Sequence, residues 1–102
     1  MSGNLQLLID KHIDRIGITF DYLQLLFTDG TILNIFNTYS IVDAVDPDLA
    51  GYEIAAVKHD MEIITLFLLP AGTIKIGLHD SDYRGPEAMQ YIREGGPCVV
   101  WP

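Results

Sequence analysis

Alternating apolar and polar positions predict strands along most of this chain. From Tyr22 to Thr28, Leu23, Leu25 and Phe27 fall on one face. Asp29-Gly30 follows, and then the β-rich run Thr31 to Phe36. An Asp-Gly between two such runs predicts a hairpin over 22–37, because both residues tolerate positive φ. The layout recurs in the second half. Ile54 to His59 is a strand candidate, Glu62 to Leu69 is an apolar run of strand length, Pro70-Ala71-Gly72 makes a turn, and Thr73 to Leu78 returns. Between the halves, residues 43–51 form a loop, since Pro47 has no backbone donor and aspartates and Gly51 suit turns. The segments 12–37 and 53–78 thus share one grammar. An old duplication and two independent meanders both remain open. Either way the pattern predicts two three-stranded units, each with an apolar face to cover.

The two ends read differently. Leu5, Leu8, Ile9, Ile13 and Ile16 fall at helical spacing, but Gly17, Thr19 and the β-branched residues around them favour an extended chain, which predicts a short helix over about 4–10 with Asn4 as N-cap and a strand from about 12. Near the C-terminus, Pro86 suits the first position of a helix, Glu87 its first turn, Arg93 its last, and Gly95 the position just beyond. Ala88, Met89 and Ile92 supply an apolar side, so a helix over 86–94 is predicted. Cys98 to Trp101 reads as a final short strand or anchoring segment, with Trp101 in a local core or, as the alternative, an exposed interface anchor, and Cys98 a buried, inert thiol. The resulting expectation is an α+β single domain. It has a curved antiparallel meander sheet of about six or seven strands and two short helices.

Composition narrows the function. The chain has 102 residues, with 6 Lys plus Arg against 14 Asp plus Glu, a formal charge of −8. The bases are scattered, which argues against nucleic acid and against anionic membrane surfaces as partners. A field of this sign draws in basic partners instead. One cysteine precludes an intrachain disulfide and multi-thiolate zinc sites within the chain. Met1 to Leu5 lacks a basic, then apolar, leader, and no apolar run approaches the ~20 residues of a spanning helix. A cytoplasmic location is therefore expected.

Candidate chemistry is sparse. His79, Asp80 and Asp82 form the densest polar cluster and are weak metal or acid–base candidates, with His12 or His59 completing the set. The simpler reading is that Asp80, Ser81 and Asp82 shape a turn. Asp43, Asp46 and Asp48 match no calcium loop, because no Glu trails at the right offset. They belong to a stretch that also holds Glu53, Asp60 and Glu62 against one base, Lys58, which is a docking surface suited to a basic partner. Tyr83 and Arg84 are residue types enriched at interfaces. No nucleophile elbow, phosphate loop or dinucleotide fingerprint occurs.

Phe27-Thr28-Asp29-Gly30-Thr31 within strand–turn–strand units, Asp82-Tyr83-Arg84-Gly85-Pro86-Glu87-Ala88, and the closing Val100-Trp101 resemble small uncharacterised bacterial proteins. Some of those sit in toxin-immunity loci, where a small acidic domain neutralises a toxin. The resemblance implies a stand-alone binding role and carries over no catalytic residue. Three readings follow. The first is a non-enzymatic acidic binding protein without cofactor, an immunity-type inhibitor of a basic protein toxin. The second is a small metal-binding protein or enzyme using His79, Asp80 and Asp82. The third is a structural homo-oligomer, a homodimer in its simplest form, because Ile63 to Leu69 looks abundant for one small core.

Overall fold

The computed structural model describes residues 5–19, 22–93, 95 and 98–102. Among the described residues, nine strands form two antiparallel sheets. They are β1 (Ile13–Thr19), β2 (Tyr22–Phe27), β3 (Ile32–Ile35), β4 (Tyr39–Val42), β5 (Glu53–His59), β6 (Ile63–Leu69), β7 (Thr73–Gly77), β8 (Met89–Ile92) and β9 (Val99–Trp101). One sheet has the order β1-β2-β3-β8-β9 and the other β4-β7-β6-β5. The only helical segments among the described residues are 3-10 turns at Leu5–Leu8 and Asp80–Asp82. The protein is therefore mainly β, not α+β, and two sheets replace the single curved meander.

The inner faces follow from alternation. Leu23, Leu25 and Phe27 of β2 are buried as the spacing predicts, with Leu33 and Ile35 of β3 beside them. From the other sheet Ile54, Ile64, Leu66, Leu68, Ile74 and Ile76 join the same core, and Trp101 completes it at 1% exposure. Two faces meeting this way bury what neither sheet could cover alone. The two expected three-stranded units are present, β1-β2-β3 in one sheet and β5-β6-β7 in the other.

The 22–37 hairpin forms with a longer connection than Asp-Gly alone suggests. Gly30 N–H donates to the Phe27 carbonyl at 3.1 Å, Phe27 N–H donates to the Thr31 carbonyl at 2.9 Å, and Gly30 adopts φ +88°. Residues 28–30 thus make a three-residue turn whose last position is left-handed, and Asp29 does not share that conformation.

Two predicted helices are corrected. The N-terminal one shrinks to the 3-10 turn Leu5–Leu8, which tucks Leu5 and Leu8 into the core. Its proposed cap, Asn4, lies outside the described residues. The helix over 86–94 is instead a bend followed by β8, while Glu94 lies outside the described residues. Counting Tyr91 as apolar exposes the reason: Met89 and Tyr91 are buried while Gln90 and Ile92 face outward, a period of two. A two-turn helix is marginal alone, whereas β3 offers a full ladder from Ile32↔Ile92 to Ile35↔Met89. Strand β4 carries no prediction in the sequence. It pairs β7 in the register Tyr39↔Ile76 to Val42↔Thr73.

The sheets are tied together at their sides. Residues leading into β1 bond the start of β5: Ile13 N–H donates to the Tyr52 carbonyl at 2.7 Å and Ile54 N–H to the Lys11 carbonyl at 2.9 Å. Between β3 and β4, Asn37 bonds to both sheets: its N–H donates to the Ala88 carbonyl at 3.3 Å and its Nδ2 to the Gly77 carbonyl at 2.8 Å.

Candidate functional site

Register divides the predicted site residues between the two ends of the four-stranded sheet. Val42, Thr73 and the Gly72 turn mark one end, and Tyr39, Ile76 and Gly77 the other. Asp43, Asp46 and Asp48 follow Val42 at the first end, where Glu53 pairs with Leu69. Tyr83 and Arg84 follow the turn beyond Gly77, at the second end. The six candidate partner-binding residues therefore do not form one patch. Tyr83 is half-buried against the core, so its ring serves packing, while Arg84 is exposed.

The acidic loop is built, not merely solvated. Leu49 is fully buried and pins the loop to the core, although it holds a left-handed φ of +54°. The Tyr52 hydroxyl accepts hydrogen bonds from the backbone N–H of Val45 at 3.1 Å and of Asp46 at 2.9 Å. Asp46 Oδ1 accepts from Asp48 N–H at 3.0 Å, closing an Asx turn. Gly72 lies against the loop so closely that a Cβ there would stand 2.9 Å from Ala44 N and from Val42 O. With these contacts in place, Asp43, Asp46 and Asp48 project into solvent from a fixed backbone. Val45 between them is 84% exposed, and Leu69 nearby is 51% exposed. Asp43 and Asp46 thus flank exposed Val45 along the loop, and exposed Leu69 pairs with Glu53 at the same end of the sheet. Glu53 is half-buried, with Oε1 at 3.4 Å from His12 Nε2.

The outer face of this sheet differs. Lys58 and Lys75 flank Thr65 in the row Ser40, Lys75, Thr65, Lys58, with Phe67 one row nearer the loop. The acids occupy the rim and the lysines the middle.

The second end holds the other candidate cluster. His79 N–H donates to Asp82 Oδ2 at 3.1 Å and Asp82 N–H to the His79 carbonyl at 2.8 Å, so Asp82 closes the 3-10 turn. Its carboxylate rests on Gly77, where a Cβ would lie 2.2 Å from Oδ2. His79 and Asp80 are exposed. Asp60, in the neighbouring β5–β6 turn, accepts from Glu62 N–H and Ile63 N–H, and these two bonds hold its carboxyl below the ordinary aspartate value. Among the described residues no three His, Cys, Asp or Glu side chains converge as a metal would need. Neither His12 nor His59 completes the His79 cluster in that sense.

A further polar cluster, missed in the sequence, sits at the β2–β3 turn. The Lys11 ammonium pairs with Asp29 Oδ2 and lies 5.5 Å from the centroid of the Tyr91 ring. Asp29 Oδ1 accepts from Thr31 N–H at 3.0 Å and from its hydroxyl at 2.6 Å. The hydrogen bond from Lys11, then that from Thr31, lowers the Asp29 carboxyl to about 2, and the same pairing raises Lys11. Its geometry is that of a clamp on the turn. The sequence signal was Asp-Gly-Thr, which marks the turn but not the lysine 18 positions earlier.

Cys98 is exposed, contrary to the expectation of a buried thiol. No helix among the described residues is long and apolar enough to cross a membrane. Comparison with protein-family models, with curated proteins and with solved structures returned no match.

Proposed function

We propose that this chain is a non-enzymatic binding protein that engages a basic protein partner through the rim formed by Asp43, Val45, Asp46, Asp48 and Leu69. The supporting observation is the fixed acidic loop with its exposed apolar residues. Tyr52 and Leu49 hold its backbone in place, so little ordering entropy is lost on binding. Exposed Val45 and Leu69 supply apolar contact area, and the carboxylates beside them supply charge selection and faster encounter. Asp46 keeps one carboxylate oxygen on Asp48 N–H, and charge on Asp43 and Asp48 remains open to a partner's Lys or Arg. Inhibition of a basic toxin is the form of this reading that the resemblance in the sequence implies.

The test uses the full chain as bait in extract of its native host, beside an Asp43→Asn/Asp46→Asn/Asp48→Asn bait. Asparagine keeps the Asx turn, so the loop geometry survives while three charges go. The reading predicts capture of a protein with a basic isoelectric point, lost with the triple variant. An acidic captured protein, or equal capture by both baits, contradicts it.

A further inference from the structure

We propose that the outer face of the five-stranded sheet is a contact surface between two copies of this chain. The proposal is independent of the acidic loop, which belongs to the other sheet.

Alternation sends Leu23, Leu25, Leu33 and Ile35 inward, so their neighbours face out. Two rows stand out in the register. One is Gln24, Asn34 and Gln90 on β2, β3 and β8, and Val100 of β9 continues it. The other is Leu26, Ile32 and Ile92 on the same three strands. Beyond the amide row, the rings of Tyr22 and Phe36 pack at 5.3 Å. The ionic groups at the edge of these rows are Arg15, opposite Leu26, and the exposed Asp14 in the β1 bulge beside it. Apart from Asp14 in that edge bulge, no described acid stands in these rows, in a chain of net charge −8. Two such bodies repel each other through most orientations, and this face is where they approach without apposing carboxylates.

The amide row also has a polarity that matches its own copy. Gln24 Nε2 donates to Asn34 Oδ1 at 3.0 Å, and Asn34 Nδ2 donates to Gln90 Oε1 at 3.4 Å. The terminal atoms of the row are therefore an acceptor, Gln24 Oε1, and a donor, Gln90 Nε2. A two-fold axis parallel to β3 and above Asn34 places β2 of one copy over β8 of the other. Donor then meets acceptor twice, as an isologous interface requires. Asn34 itself, at 5% exposure, is already satisfied on both sides of its amide, so covering it strands no polar group. Five strands about 4.8 Å apart and about five residues of rise give a flat footprint of roughly 400 Å² per copy. Side-chain relief enlarges that area, which places the pair near the ~1,000 Å² threshold of a specific contact and in the class of weak, reversible dimers.

The test is sedimentation equilibrium of the full chain from about 1 μM to about 1 mM, at low and high salt. The expected result is a monomer–dimer equilibrium that tightens with salt, because salt screens the mutual repulsion of the acidic bodies and leaves the neutral contact intact. Ile32→Lys places like charges at the centre and should weaken dimerisation at least about tenfold, with an unchanged β-type far-UV spectrum. Gln24→Glu, which loses the donor to Asn34 and adds a charge, gives the same reading should Ile32→Lys not fold. The Asp43→Asn/Asp46→Asn/Asp48→Asn variant should dimerise at least as well as the parent, which separates this proposal from the partner reading. A monomer at every concentration, as expected if a different protein covers this face, overturns the proposal. So does a dimer that dissociates as salt rises, or one indifferent to both substitutions.

Discussion

Tyr52 shows how much of this molecule hangs on single side chains. Its hydroxyl accepts two backbone N–H groups of the acidic loop, and its ring is buried. Tyr52→Phe should cost about 1–2 kcal/mol, since it strands two donors while the ring still packs. Chemical denaturation measures the loss, and amide hydrogen exchange at Val45 and Asp46 should accelerate locally. Unchanged exchange there would show that the loop does not depend on Tyr52. Asp29 makes a second case. Its carboxyl is depressed to about 2 from an ordinary 3.8, so its contribution is present above pH ~3.8 and fades as pH falls through about 2. The side chain is 45% exposed, so solvent screening limits the pair with Lys11 to roughly 0.2–1 kcal/mol. Asp29→Asn should remove that much at neutral pH and flatten the acid limb of the stability profile between pH ~4 and ~2. Neither contact was legible beforehand. Tyr52 and Lys11 act across the fold, and no local pattern reveals that a tyrosine will receive two amides or that a lysine will reach a turn.

At the scale of elements, the legible parts were those whose period is unambiguous. Leu23, Leu25 and Phe27 fix the face of β2, and Thr73 to Gly77 likewise alternates as read. The C-terminal segment misleads because capping signals at Pro86, Glu87 and Gly95 are local, whereas the edge of β3 that recruits Met89–Ile92 is remote. Gly95 does take a left-handed φ of +70°, but with no helix before it. Strand β4 had signals, Tyr39, Ile41 and Val42, in a run too short to stand out between two turns. Met89→Ala tests the packing of β8 on the core: a fully buried side chain there should cost about 2–5 kcal/mol in stability. Gly72→Ala tests the loop buttress. A φ of +94° and backbone atoms at 2.9 Å leave no room for a Cβ, so a loss above about 1 kcal/mol is expected in the same denaturation experiment.

At the scale of the whole molecule, the two sheets divide the surface by charge. Acids crowd the loops and rim of the four-stranded sheet, lysines hold the middle of its outer face, and the outer face of the five-stranded sheet is nearly neutral. Net charge alone pointed to a basic partner. It did not show that Asp43, Asp46 and Asp48 stand together while Tyr83 and Arg84 lie at the opposite end, because that follows from strand order. The two contacts proposed for this surface respond oppositely to salt: the acidic rim should release a basic partner as ionic strength rises, and the neutral face should hold its copy more firmly. The most direct measurement is a hydrogen-exchange footprint of the captured complex. Protection gained at residues 43–53 and 69–72, and lost from the complex in high salt, is the predicted result. Protection confined to the His79–Arg84 end or to the outer face of the five-stranded sheet would contradict recognition through the acidic rim.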